Sequence, residues 1–327
     1  MRLNIDIIED DLLALGGDIL QTLLADHTTG HNVIWATNDY DKRGDGYRFG
    51  DAITVGSITG ENNHIIMPRI AKAAQQQRSR SQVMAEVFTP SWVCNAQNNL
   101  IDDVWFGQSG VFNTENDDNT WTTNATPRIP RGKRWKDYVK DTRLEMACGE
   151  APYLVSRYDA TTGVPVAIGD RIGLLDRKLW IIHHNTPDIS DEMTKSQKKA
   201  VKKKWRRQVY KAYQSVYGYE YQGDNLLLAR EALFVSYIEY YQAKWHTQKL
   251  PSRGSMQRIA DIISWNIWQM DGLTYGIPGQ KPIEQLNEGL FPMEVQPEQR
   301  FCRIREWTGI EPLEGKETIF RKMLDEN

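Results

Sequence analysis

Four segments of the chain carry residue types suited to binding a small polar ligand. The first is Leu144-Glu145-Met146-Ala147-Cys148-Gly149-Glu150-Ala151, where an apolar run meets acids and a small-residue turn. Gly149 has no side chain, so a ligand can approach the backbone there closely. The second is Tyr217-Gly218-Tyr219-Glu220. A carboxylate such as Glu220 at a strand end can accept hydrogen bonds from both hydroxyls of a ribose, and its charge strengthens them. The third runs from Asn266-Ile267 to Asp271-Gly272-Leu273, where Asp271 is suited to take the amino group of an adenine ring. The fourth, Ala85-Glu86-Val87-Phe88-Thr89-Pro90, lies upstream. Each has a plainer reading as well. Glu220 would be a strand-end acid in a surface ion pair, Gly149 part of an ordinary strand-to-helix turn, Asp271 the acid of an Asp-Gly turn, and Phe88 a core residue.

The elements that must position these residues follow from hydrophobic spacing. Thr142 to Ala147 reads as a strand entering a Cys-Gly turn, with Ala151-Pro152-Tyr153-Leu154-Val155 opening a helix. A long helix, with breaks, is expected from Ile172 to Tyr213, and Val216 to Glu220 reads as a buried strand. Asp224 to Lys244 carries a strong apolar stripe at helical spacing. A short helix over 256–264 and a strand over Asn266–Asp271 complete the pattern. Strand, helix, strand, helix, strand is the sequence sign of a parallel α/β sheet. Such sheets bind ligands at the C-terminal ends of their strands. Upstream, residues 8–25 read as one helix weakened by Gly16-Gly17, and 32–36, 53–55 and 64–67 as strand-like pieces. Residues 68–84 form a polar helix candidate carrying Arg69, Lys72, Arg78 and Arg80, and 107–132 a loop insertion. The expected organisation is an N-terminal α+β extension over 1–80 and a cofactor-binding domain over 81–327.

Phe-Thr-Pro, then acid-x-Ala-Cys-Gly, then Gly-x-Glu, then Asn-Ile…Asp-Gly-Leu is an order that resembles adenine-specific DNA methyltransferases. More narrowly, it is similar to the modification (M) subunits and fused methylases of restriction systems. The resemblance covers roughly residues 68–275. It implies a Rossmann-like methyltransferase sheet and S-adenosylmethionine as cofactor. It places Phe88, Thr89 and Pro90 against the methionine part of that cofactor. Leu144, Ala147, Cys148 and Gly149 match the first-strand motif, with Glu145 standing for the usual Asp, Met146 for Pro and Ala151 for the last Gly. Glu220 takes the ribose-binding position, and Asp271 the adenine-contacting one. The family's catalytic motif, Asn/Asp-Pro-Pro-Tyr/Phe, has no counterpart, because the chain contains no Pro-Pro dipeptide. The resemblance therefore implies the cofactor-binding half of an enzyme, either with an unusual catalytic strand or as one part of a split enzyme. The alternatives are a non-catalytic partner or regulatory protein of a restriction or phage-defence system that binds the cofactor and DNA, and a methyltransferase for another acceptor.

Charge distribution bears on the nucleic-acid partner. The net charge is -3, which by itself argues against a basic nucleic-acid binder. The run Lys195, Lys198, Lys199, Lys202, Lys203, Lys204, Arg206, Arg207 and Lys211 changes that, since no acid falls between Thr194 and Tyr219. On a helix it would wrap most of the surface and neutralise DNA phosphates with a steep salt dependence. A solvated helix is the alternative. The eleven tryptophans are read mostly as core.

Other classes fall away on composition. Hydrophobic residues are 40% and charged residues 25%, which excludes a membrane protein, a collagen-like chain and a wholly disordered one. Cys94, Cys148 and Cys302 are odd in number and widely spaced, so neither a disulfide framework nor a zinc site is expected. Cys148 reads as a buried small thiol rather than a nucleophile. His27 and His31 lie four apart, but Thr28-Thr29-Gly30 between them opposes a helix, and no metal site is expected. His183-His184 reads as a strand end or turn. The N-terminus has no signal-peptide pattern, and a cytoplasmic location is the expectation.

Overall fold

The computed structural model describes residues 5–16, 18–72, 89–280, 301–309 and 314–325. The chain is a mixed α/β protein organised around a parallel sheet of β5 (Arg143–Glu145), β6 (Val216–Glu220) and β7 (Ile267–Gln269), in that spatial order. Three two-residue-to-five-residue hairpins accompany it: β1 (Ala25–Asp26) with β2 (His31–Asn32), β3 (Asn113–Glu115) with β4 (Trp121–Thr123), and β8 (Arg303–Trp307) with β9 (Gly315–Ile319). The helices are α1 (Glu9–Ala14), α2 (Ile19–Leu24), α3 (Val55–Ile58), α4 (Ser91–Phe106), α5 (Trp135–Lys140), α6 (Leu174–Asn185), α7 (Lys195–Gln214), α8 (Gly223–Lys244), α9 (Arg253–Asn266) and α10 (Phe320–Asp325).

Alternation along β6 explains the layering. Val216, Gly218 and Glu220 turn to one face and are buried, while Tyr217 and Tyr219 turn to the other. The first face joins the main core, where α8 and α9 pack with Val216 and Ile267. The second face is covered by a smaller cluster of Trp268, Met270, Cys302, Ile304 and Phe320, supplied largely by the β8–β9 hairpin and α10. Nearly the whole length of α8 is buried, so its apolar run is a central pillar and not a one-sided stripe. No helix among the described residues is long and apolar enough to cross a membrane.

Several expectations are corrected. The single helix over 8–25 is two short ones, because Gly16 adopts φ 74 and turns the chain. Of the strand-like pieces over 32–36, 53–55 and 64–67, only Asn32 lies in a strand, and Ile34 makes one isolated bridge to Ala52. Val55 instead starts a helical turn, capped by Thr54, which accepts from the Ser57 amide at 3.2 Å. Of the polar helix expected over 68–84, only residues 68–72 are described, with a 3-10 turn at Arg69–Ala71; the remainder, Arg78 and Arg80 included, lies outside the described residues. The loop insertion contains the β3–β4 hairpin. Ala151 to Val155 forms turns, since Ala151 sits at φ 60, and the helix after β5 begins only at Leu174. His183 and His184 occupy the last turn of α6.

The N-terminal segment has a structural role that the sequence did not disclose. Arg230 of α8 is 1% exposed. Its guanidinium donates to the carbonyls of Leu23 at 2.6 Å, Ala25 at 2.9 Å, Ile267 at 2.7 Å and Ser264 at 3.1 Å. Gln269 of β7 grips Ile34 like a second backbone, accepting from its amide at 2.9 Å and donating to its carbonyl at 2.8 Å. One hydrophobic core therefore includes residues from Ile7 to Ile267.

A buried acid pair lies at the same junction. Glu9 on α1 and Glu231 on α8 are essentially unexposed, and neither carboxyl has a hydrogen-bond partner among the described residues. Burial, before any neighbouring charge, pushes the Glu9 carboxyl up to about 8 and the Glu231 carboxyl well above its ordinary value. Between about 4.5 and about 8 the folded chain keeps protons that the unfolded chain releases. Stability is therefore greatest at the acid end of that window and falls as pH rises through it. The urea midpoint should be higher at pH 6 than at pH 8, and Glu9→Gln should reduce the difference. A midpoint that rises with pH across this range would refute the assignment.

Candidate functional site

The C-terminal ends of β5, β6 and β7 surround a pocket of ≈ 560 Å³, within the range of about 300–1,000 Å³ typical of small-molecule sites. Its walls come from all four of the chemistry-bearing segments. Glu145 ends β5 and Cys148 and Gly149 follow it, Glu220 ends β6, and Met270, Gly272 and Leu273 follow β7, with Thr89 closing one side. The parallel register aligns the strand ends, pairing Glu145 with Gly218 and Glu220 with Gln269.

The loop after β5 is held open by backbone conformation. Ala147, Gly149 and Ala151 all have positive φ, at 49, 54 and 60. Left-handed backbone costs roughly 1–2 kcal/mol for a residue with a Cβ, so the loop is retained against local preference. Two amides fasten it to β6. The Cys148 N–H donates to the Tyr219 carbonyl at 2.8 Å, and the Gly149 N–H to Glu220 Oε2 at 2.9 Å.

Glu220 is the centre of this arrangement. Its other oxygen accepts from the Gln222 amide at 3.2 Å, and its carbonyl accepts from Met270. Two of about four carboxylate lone-pair sites remain for a ligand. Burial raises its pKa, against the opposing effect of the Gly149 and Gln222 amides. A hydroxyl-bearing ligand that donates to the carboxylate favours its charged form.

The other expected residues separate into those brought to the pocket and those engaged elsewhere. Glu145 borders the pocket, but its oxygens accept from the Tyr153 amide at 3.2 Å and the Leu154 amide at 3.1 Å. Burial pushes it up to about 8. Its role here is to hold the 151–155 turn. Cys148 is 2% exposed, and its thiol is pushed well above the ordinary range by burial and by the Glu145 and Glu220 charges. A methyl group at Gly218 would sit 3.3 Å from its sulfur, so Gly218 makes the space in which Cys148 packs.

Asp271 departs from expectation. Its Oδ1 accepts from the Leu273 amide at 2.8 Å and the Thr274 amide at 3.4 Å, the geometry of a turn acid. Short side chains at a strand end readily find such local amides. The pocket wall there is Met270, Gly272 and Leu273 instead. Pro90 caps the start of α4, accepting from Val93 and Cys94 amides, and does not line the pocket. Phe88 lies outside the described residues.

Residues that the sequence reading passed over also line the pocket: Tyr153, Tyr219, Tyr221, Gln222 and Asn225. Tyr219 and Tyr221 flank Glu220, and period-two alternation at a strand end is the signal that would have found them. Gly272 lies against the Tyr219 ring, where a Cβ would approach to 3.1 Å. His27, considered with His31 for a metal, stacks on Trp265 at 3.8 Å between ring centroids and hydrogen-bonds Ser264 at 2.8 Å.

The basic run is one continuous helix, α7, whose first turn is closed by Thr194 and Gln197 in a capping box. It does not present cations all round. Trp205, Val209, Ala212 and Tyr213 are buried, and Lys199, Lys203, Lys204 and Arg207 are exposed on the outer side. Arg206 is half-buried, as is Lys202, whose ammonium lies 5.4 Å from the centre of the Trp245 ring. Lys202 is thus partly a packing residue. Comparison of the chain with protein-family models, with curated proteins and with solved structures gave no match.

Proposed function

We propose that the pocket at the ends of β5, β6 and β7 binds S-adenosylmethionine, and that the chain acts in adenine-specific DNA methylation, alone or as part of a split enzyme. The observation that carries this reading is Glu220. A buried carboxylate at the end of the middle parallel strand ties down the glycine loop and still has room for two hydroxyl donors. The pocket's size, the close backbone approach at Gly149 and the aromatic side chains of Tyr219 and Tyr221 fit a nucleoside. The cofactor supplies an activated methyl group when bound. The chain's contribution is to orient the ribose through Glu220 and to keep water from the enclosed side of the pocket. A Rossmann-like arrangement and a cytoplasmic setting belong to the same proposal.

The split or non-catalytic reading has its own support. No strand pairs with the outer edge of β5 among the described residues. Leu144 and Met146 are exposed on β5 and its following loop. Leu100, Ile101 and Val104 of α4 are exposed beside Arg143. Another chain can add a strand to such an edge through backbone hydrogen bonds.

Calorimetry tests the shared premise. S-adenosylmethionine should bind, and Glu220→Ala should weaken it at least about 10-fold, as expected for hydrogen bonds to a charged group. Equal affinity in the variant, or no binding by the parent chain, removes the pocket assignment. Labelled methyl transfer to DNA by the purified chain would then establish a complete enzyme. Transfer only after adding a chain with an Asn-Pro-Pro-Tyr motif would establish a split one.

A further inference from the structure

A second cavity, of ≈ 610 Å³, lies on the hairpin-covered face of the sheet, away from the glycine loop. Its apolar wall includes Tyr217, Trp268, Trp307 and Phe320, and Lys140 and Lys211 also line it. Trp268 and Phe320 pack with ring centres 5.0 Å apart, and the Trp307 indole is held by Asn266 at 2.7 Å. The aromatic surface is therefore fixed in place. Glu306 also lines the cavity, and its carboxylate accepts no hydrogen bond among the described residues.

The two lysines continue a larger electropositive face. Lys195, Lys199, Lys203, Arg207 and Lys211 recur every four residues on α7, one cation per about 6 Å of helix axis. Lys136 and Lys140 of α5, which packs beside α7, add a second row. Among the described residues, none of the cations from Lys199 to Lys211 is ion-paired; Lys198 meets Asp191 at 3.7 Å. The charges around Lys211 that affect it are Lys140, Arg207 and Lys136, all of the same sign. Such a surface is stabilised by a polyanion, and its row of cations ends at an aromatic cavity.

We propose that this cavity takes an unpaired adenine or cytosine of a nucleic-acid strand whose phosphates run along α5 and α7. Phosphates meet the cations, the base stacks on the aromatic wall, and the exocyclic amino group donates to Glu306, an acceptor suited to it. A free mononucleotide would use only Lys140 and Lys211 and leave the rest of the row on α7 unused. The proposal rests on the nucleic-acid half of the functional reading and is independent of cofactor binding.

Fluorescence anisotropy with a short labelled single strand, and with the same strand annealed to its complement, tests it on the full chain. Adenine- or cytosine-rich single strands should bind at least about 10-fold tighter than duplex, from stacking of one base. Leu324→Trp fills the cavity from an exposed position on α10, and should bring single-strand affinity down to that of duplex. Glu306→Gln should remove the preference over an oligothymidylate. Lys203→Glu with Arg207→Glu should weaken both forms and flatten the salt slope. Equal binding of single strand and duplex, untouched by Leu324→Trp, overturns the cavity proposal and leaves a phosphate-binding face. Failure of both forms to bind at low salt overturns the nucleic-acid reading together with it.

Discussion

Arg230→Met should destabilise the fold by about 3 kcal/mol or more, because it leaves several buried carbonyls without a donor. Methionine keeps much of the side-chain length and gives up all the donors. Four carbonyls lose their partner at once: Leu23 and Ala25 from the N-terminal segment, Ile267 from β7 and Ser264 from α9. An unsatisfied buried polar group costs about 1–3 kcal/mol, and some of these carbonyls will find relief by relaxation. Burial pulls the guanidinium down to about 10, which leaves it charged at neutral pH. Urea denaturation should show a midpoint well below that of the parent chain. Arg230→Lys should recover only part of the loss, since one ammonium has three donors and no planar fork. A midpoint within experimental error of the parent would show that the four bonds are incidental.

Gly223→Ala should be the next most damaging change. An added Cβ would lie 2.0 Å from the Ile34 carbonyl oxygen and 2.9 Å from its carbon, and backbone cannot step aside as a flexible side chain can. The same stretch is tied by the Gly223 amide to Trp35 at 2.9 Å and by Gln269 to Ile34. The clash must therefore displace several bonds together. Overpacking costs typically about 1–3 kcal/mol and occasionally more, and this position belongs at the upper end. Gly254→Ala gives the matching control. It lies in α9 with nothing within 4 Å of the new atom, so helix propensity predicts no loss or a slight gain. If the two variants melt alike, the close approach at Gly223 is not what holds the segment.

The sequence exposed the parts of the fold whose signals are local. β6 and α8 were visible because Val216–Glu220 and the long apolar run after it are uninterrupted. The basic helix was visible because lysine and arginine favour a helix and Thr194 caps it. The parallel sheet was visible because β5, β6 and β7 alternate with helices, whereas their spatial order comes from the structure. The N-terminal segment was not readable, because its structure comes from distant partners. Leu23 and Ala25 are placed by Arg230, and Ile34 by Gln269, more than two hundred residues away. In the candidate site, Glu220, Cys148, Gly149 and Thr89 gather as the motif order suggested. Glu145 and Asp271 are drawn instead to nearby amides, a competition that residue type and spacing do not reveal. The buried side of α7 depended on Trp205 and Val209, which a count of charges passes over.

The Arg230 clamp also bears on when the protein can finish folding. Its bond to Leu23 spans 207 residues, and its bond to Ile267 brings in a strand still further along the chain. During synthesis at about 5–20 residues per second, that span takes roughly 10–40 s to emerge. Throughout that interval α2, which packs on α8 and α9 in the finished molecule, has no surface to cover its buried leucines. α2 is thus secured only by segments made some two hundred residues later. The emerging segment has to be kept from sticking to other chains until α8, α9 and β7 arrive.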